Sequence, residues 1–200
     1  MNLRKLFNAL CFLALVSPVA SFAVEEDPSQ VLEQTVAEVV DILHTGDTLA
    51  LEEKRSKILK LLQDRFSFDI IIRRALGRNW NELNEKQQDQ VTNLISDLLI
   101  RAYTKELQNG PKPQIVFNRT EDLGSNKIEI FSSVTFRNNL VSVSYRLANV
   151  KSRGWQVYDV LIEGVSMVSN YRKQFDEHFQ TKNAAELISI LKEKLKDFDS

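Results

Sequence analysis

An α+β fold is predicted, with helices wrapped around a twisted antiparallel sheet of about four strands, and three features predict it. The first half of the chain places apolar residues three and four apart, whereas Ile115 to Glu163 places them two apart. Short turns separate the alternating segments. Arg137-Asn138-Asn139 suits a tight hairpin and Lys151-Ser152-Arg153-Gly154 a slightly longer one, so consecutive strands pair antiparallel. The third feature is Gly154 to Phe175. It alternates through Trp155, Val157, Asp159, Leu161 and Glu163 on one face and Gln156, Tyr158, Val160 and Ile162 on the other. Gly164 then breaks the pattern, and Val165, Met167, Val168, Tyr171 and Phe175 recur at helical spacing. A sheet therefore hands directly into a helix at Glu163-Gly164-Val165-Ser166.

The helices follow in order. Asp27-Pro28 reads as an N-cap with proline at the first helical position, and Val31, Leu32, Val36, Val39, Val40 and Leu43 carry an amphipathic helix to about His44. Gly46-Asp47-Thr48 breaks it. A second helix spans about Leu49 to Arg65, with Leu51, Ile58, Leu61 and Leu62 on its apolar side. Ser67-Phe68-Asp69 opens a short helix over Ile70 to Leu76, with Asp69 as its N-cap and Gly77 placed to end it. Asn84-Glu85-Lys86-Gln87 resembles a capping box and starts a long helix to about Gln108. Asn109-Gly110-Pro111 stops that helix. Strands are expected at Ile115 to Phe117, Lys127 to Phe136, Leu140 to Ala148 and Trp155 to Glu163. Two helices close the chain, about Val165 to Gln180 and Ala184 to Phe198.

Large apolar groups on both faces of the last strand require cover on both sides. A twisted sheet wrapped by helices leaves a cone whose wide end is hard to fill with side chains. Either the cone is packed core, or it is an apolar small-molecule site. Periodicity leaves that choice open, and with it the question of which sheet face points inward.

The chain has 200 residues and a formal net charge of −1. Its start reads as an export signal. Arg4 and Lys5 precede the apolar run Leu6 to Val16, Pro18 follows, and Ser21-Phe22-Ala23 places small residues for cleavage after Ala23, with Ala20 as the second choice. The run is too short to span a bilayer. Cys11, the only cysteine, lies midway along it and is a poor lipoprotein attachment site. Residues 24–200 would then hold no disulfide and no thiolate metal site, and fit one domain stabilised by its own core. They carry 24 basic and 27 acidic residues, a net charge of −3. That balance argues against nucleic acid and against tight electrostatic docking on anionic bilayers. No further apolar stretch is long enough to cross a membrane.

Chemistry-bearing residues are few. Asp159 and Glu163 lie four apart on one strand, which suits either acid–base work or a structural network with Arg146 or Arg172. Arg172 suits a phosphate or an ion pair. Ser166 follows Gly164, but Glu-Gly-Val-Ser-Met lacks the second glycine of a nucleophile elbow. His44 and His178 have no spacing partner for a triad or a metal and read as surface residues. Asn118-Arg119-Thr120 matches a glycosylation acceptor, a common tripeptide. No metal or cofactor is expected. Trp155 and Tyr158 point to opposite strand faces, so one is expected at the pocket and the other in the core.

The order and spacing of several segments resemble the MlaC family of periplasmic phospholipid carriers, also called the toluene-tolerance family. They are Phe68-Asp69 with Leu76-Gly77 and Trp80; Gln87 with Leu98-Leu99 and Tyr103; Val143-Ser144-Tyr145-Arg146; and Trp155, Val157-Tyr158-Asp159, Glu163-Gly164-Val165-Ser166, Asn170-Tyr171-Arg172 and Phe175. Two departures stand out: Ser144 occupies the place of a usual aspartate, and Val91 that of a common phenylalanine. The resemblance implies a monomeric, non-catalytic, soluble periplasmic shuttle. It would bury the acyl chains of a glycerophospholipid and leave the head group in solvent. It would pass the lipid between an outer-membrane lipoprotein complex and the substrate-binding subunit of an inner-membrane ABC transporter. The expected lipid-binding wall is Val134, Val143, Tyr145, Val157 and Leu161 from the sheet, with Leu98 and Tyr103 from the long helix. Tyr103 suits either the mouth of the pocket or plain packing. Two other classes stand beside this one: a lipid hydrolase using Ser166 or the Asp159/Glu163 pair, and a ligand-free interaction module with a filled core.

Overall fold

The computed structural model describes residues 26–44, 50–108 and 110–199. The expected export signal, its cleavage site and the breaker Gly46-Asp47-Thr48 lie outside them. Four helices come first: α1 (Pro28–His44), α2 (Leu51–Gln63), α3 (Phe68–Leu76), continued by a 3-10 turn at Gly77–Glu82, and α4 (Glu85–Gln108). The sheet follows as β1 (Gln114–Gly124), β2 (Lys127–Phe136), β3 (Asn139–Val150), β4 (Gly154–Ile162) and β5 (Val165–Ser166), and α5 (Met167–Phe179) and α6 (Ala184–Asp199) close the fold. The sheet is antiparallel throughout, with strand order β1-β2-β3-β4-β5.

Local chemistry accounts for the helix starts. Asp27 Oδ1 accepts from the Ser29 amide at 2.9 Å. Asn84 and Gln87 each accept from the other's backbone amide at 3.0 Å, a complete capping box. Asp69 does not cap α3. It lies in the first turn, and its carboxylate takes two hydrogen bonds from the Arg153 guanidinium, at 3.0 and 3.2 Å. Gly77 does end α3, at φ 56°, where L side chains are strained.

The sheet differs from the expectation in three ways. It has five strands, because Val165 and Ser166 pair back onto Ile162 and Leu161 before the helix begins at Met167. Glu163 and Gly164, both at positive φ (49° and 75°), make the two-residue turn. β1 runs on to Gly124, well past Phe117. Its outer half is exposed on both faces and so carries no alternating apolar signal. β4 contains a bulge: Arg146 pairs with Asp159 but Leu147 pairs with Val157, leaving Tyr158 unopposed. Strict alternation therefore fails at Tyr158. Val157 on one side of the bulge and Val160 and Ile162 on the other share a face.

Apolar packing falls into three groups. Ile72, Leu76, Val91 and Phe175 belong to a helical cluster of α3, α4, α5 and α6. Leu32, Ile130, Leu147 and Val157 join α1 to the sheet. Leu43, Ile58 and Ile100 join α1, α2 and α4. The α2–α3 connection is tied to the sheet, with Ser67 N donating to Val157 O at 3.1 Å and Val157 N to Arg65 O at 2.8 Å.

Candidate functional site

The three clusters do not merge. Between them lies a cavity of about 350 Å³, within the usual range of small-molecule sites, about 300–1,000 Å³. Helix α1 contributes Val36, Val39, Val40 and Leu43; α2 and α3 contribute Ile58, Leu62, Ile71 and Ile72; α4 contributes Ile95, Leu99, Ile100, Tyr103 and Leu107. Ile115, Val134, Val143, Tyr145, Val160 and Ile162 form the sheet wall, and Met167, Val168, Tyr171 and Phe175 of α5 complete it. Polar side chains are confined to Tyr103, Thr104, Tyr145, Asp159 and Tyr171. Two of these are tied inward. Thr104 Oγ1 donates to Arg101 O at 3.2 Å. Asp159 accepts from Ser166 Oγ at 2.6 Å and from the Val168 amide at 3.2 Å, which anchors the start of α5 to the sheet. Burial pushes the Tyr145 hydroxyl up to about 12, against the opposing effect of a hydrogen bond with Ser132.

Tyr103, Val134, Val143 and Tyr145 line this cavity, and Leu98, Val157 and Leu161 do not. Leu98 packs against the helical cluster from the other side of α4. Val157 is fully buried among Leu32, Ile130 and Leu147. Leu161 follows the bulge, which turns it to the face away from the cavity and brings Val160 and Ile162 in. Neither Trp155 nor Tyr158 meets the cavity. Trp155 packs beside Leu32, and Tyr158 lies under the Arg74 guanidinium, 4.9 Å from its ring centroid. The contributions of α1, α2, α3 and α5 were not singled out from sequence, because a helix face lining a cavity and one packed on core carry the same apolar spacing.

The other candidates hold structural partners. Ser166 caps α5, accepting from the Ser169 amide at 3.1 Å while donating to Asp159. Glu163 accepts from the Ser142 amide of the neighbouring strand β3, so Asp159 and Glu163 serve separate partners. Among the described residues Arg172 makes no ion pair; its guanidinium donates to Arg74 O at the end of α3. His178 Nε2 lies 3.1 Å from Asn183 O. His44 is half-buried, not a surface residue, and its Nε2 is enclosed. Asn118 donates to Ser133 Oγ at 2.9 Å from the exposed edge strand. Ser144 is 6% exposed and donates to Glu129 Oε1 at 2.6 Å, while Arg146 Nε donates to Glu129 Oε2 at 2.9 Å. The carboxylate that Ser144 lacks is thus supplied across the strand by Glu129. Val91 is fully buried in the helical cluster and does not line the cavity.

A larger, more open cleft of about 610 Å³ runs along α2 and α4. The charged side chains that line it are already paired, Glu52 with Arg55, Asp69 with Arg153, and Asp97 with Arg101 beside the cleft. The smaller apolar cavity is therefore the stronger ligand site. Among the described residues no cluster of three or more His, Cys, Asp or Glu is arranged to hold a metal, and no helix is long and apolar enough to cross a membrane.

The family model for MlaC protein matches residues 33–193, most of the chain and every element that lines the cavity. The chain belongs to the MlaC family. Among solved structures it is similar to the phospholipid-binding protein of Ralstonia solanacearum, determined in complex with a phospholipid. The TM-score is 0.72 at 23% identity, over 87% of this chain and 99% of that one. This MlaC-family chain therefore shares that protein's fold, and no curated protein matched it.

Proposed function

We propose that this protein is a periplasmic phospholipid carrier without catalytic activity. It is exported by residues 1–23 and acts as a single unit over residues 24–200. It takes the acyl chains of a glycerophospholipid into the cavity, leaves the head group towards solvent, and carries the lipid between an outer-membrane lipoprotein complex and an inner-membrane ABC transporter. The observation that carries the reading is the apolar cavity where three packed clusters fail to meet. Membership of the MlaC family supports it, as does the Ralstonia protein of the same fold, solved with a phospholipid. Val134, Val143 and Tyr145 of the sheet and Tyr103 of α4 are its lipid contacts, joined by Val160, Ile162, Leu99 and Met167.

Energetics fit a carrier. Burying a methylene is worth about 0.8 kcal/mol, so two acyl chains of about 15 carbons represent on the order of 20 kcal/mol gross. Ordering and association offset much of that. A lipid held this way does not escape into water at a useful rate. Release needs a partner that opens the cavity and receives the chains directly.

Native mass spectrometry of residues 24–200, exported and purified without detergent, tests the reading. One intact phospholipid per protein is expected. A folded protein that carries no lipid and takes none from phosphatidylcholine vesicles would sink it. Fatty acid or lysolipid in place of phospholipid would move the reading to a hydrolase.

A further inference from the structure

Among the residues that line the cavity, Tyr103 is the most exposed, at 44%. It marks the mouth. Although its ring meets solvent, its hydroxyl reaches from α4 towards α5 and donates to Met167 Sδ at 3.9 Å, the limit of contact with a weak acceptor. One turn beyond Met167 on α5 stands Tyr171, half-buried and stacked on Phe175 with ring centroids 6.5 Å apart. Among the described residues the Tyr171 hydroxyl makes no hydrogen bond. The two phenols are neighbours. Burial pushes Tyr103 up to about 12, with the adjacent Tyr171 adding to the effect, so Tyr103 remains a protonated donor at neutral pH. Burial raises Tyr171 as well.

Two phenols thus line one cavity whose wall is otherwise nearly all apolar, Tyr103 at its lip and Tyr171 one turn along α5 from the Met167 that Tyr103 reaches, and neither hydroxyl has an oxygen acceptor among the described residues. Neither hydroxyl is among the enclosed side-chain atoms without a partner, so water meets both when no ligand is bound, and a ligand oxygen that seats here takes the place of that water. A phospholipid with its chains in the cavity brings oxygen acceptors to this level: ester carbonyls first, then phosphate, before the head group reaches water. We propose that the Tyr103 and Tyr171 hydroxyls hold the oxygen-rich neck of the bound phospholipid. They set how deeply it seats and distinguish a glycerolipid from a simple hydrocarbon. The assignment rests on the carrier reading above. Because both donors are neutral, they bind the neck by hydrogen bonds and form no ion pair with the head group.

The test compares wild type with Tyr103→Phe, Tyr171→Phe and the double variant, which keep both rings and remove only the hydroxyls. Matching thermal melts establish that the fold is intact. Affinity is read by uptake of tail-labelled phosphatidylcholine from vesicles, and separately of a pyrene-labelled alkane. Each single variant is expected to weaken phosphatidylcholine about fivefold and the pair about 25-fold, with alkane uptake unchanged. A diether phosphatidylcholine and a diacylglycerol then locate the acceptor. If the effect is lost with the diether the hydroxyls hold the carbonyls, and if it is lost with diacylglycerol they hold the phosphate. Equal phosphatidylcholine affinity in wild type and double variant overturns the proposal. So does an equal loss for the alkane, which would mark the tyrosines as packing. A wild-type protein that takes up no phosphatidylcholine overturns the carrier reading itself.

Discussion

The two faces of the sheet solve opposite problems. On one, Val134, Val143, Tyr145, Val160 and Ile162 stand around space. On the other, Glu129, Ser144 and Arg146 close onto one another at 2.6 and 2.9 Å, with Glu129 and Ser144 each 6% exposed. The polar face tolerates burial because each group in it has a partner, so removing one partner strands another. The apolar face forgoes packing that a filled core would have. Its residues are under weaker stability constraint and, on the carrier reading, under stronger functional constraint.

The largest expected effect breaks the cavity face. Val143→Glu places a carboxylate in the apolar wall, where an unpaired charge costs several kcal/mol. Phospholipid retention should fall more than about 100-fold, read as lipid recovered per protein with circular dichroism as the fold control. Undiminished retention would mean that the ligand lies elsewhere.

Next comes a contrast between packed core and cavity wall. Leu76 is fully buried in the helical cluster and does not line the cavity, so Leu76→Ala should cost about 3–5 kcal/mol in urea unfolding. Leu99 already abuts space, so Leu99→Ala creates less new void and should cost about 1–2 kcal/mol. Equal costs would show that the wall is as tightly packed as the core.

The polar face is sharpened by Ser144→Asp, the residue expected at that place from the family pattern. Here it sets a second carboxylate against Glu129, and should destabilise by about 1–3 kcal/mol at neutral pH. Glu129→Gln in the same chain should recover much of the loss, since it removes the repulsion. Additive losses would mean that Glu129 does not stand in for the missing aspartate.

The smallest effect concerns the Asp69–Arg153 pair at the α3 start. Burial raises the Asp69 carboxyl, but hydrogen bonds and charge from Arg153 outweigh it and hold the group below its ordinary value of 3.8. A depressed carboxyl stabilises the fold at pH above its unfolded value, and that contribution disappears as pH falls through the lower folded value. Both partners are well exposed, so Arg153→Ala should cost only a few tenths of a kcal/mol at neutral pH and nothing in acid. A loss of similar size persisting below the folded value would assign the effect to packing.

Element order and the starts of α1 and α4 were legible because their causes are local. Asp27 and the Asn84–Gln87 box each act within three residues, and the change from helical to strand spacing needs only neighbours along the chain. The site was legible only in part. Val134, Val143 and Tyr145 follow uninterrupted alternation and reach the cavity, whereas the bulge at Tyr158 turns Leu161 to the other face, and Val157, on the cavity face, is covered by Leu32 and its neighbours. No residue type announces that bulge: Tyr158 suits a strand, and the shift exists only relative to β3. Asp69 and Ser166 carried readings that distant or cross-turn partners reassigned, Arg153 in one case and Asp159 in the other.

The sequence by itself determined an α+β chain of helices, meander and helices, with the caps at Asp27 and Asn84–Gln87, the hairpin turns at Arg137–Asn139 and Lys151–Gly154 and its family pattern, since periodicity and capping are properties of short segments. Only the tertiary structure decided that the cone is a cavity, which sheet face lines it, and that Tyr103 of α4 reaches Met167 of α5 at its mouth. A valine facing a void and a valine facing a leucine have the same spacing along the chain. What separates them is whether elements far apart in sequence approach closely enough to fill the space between them.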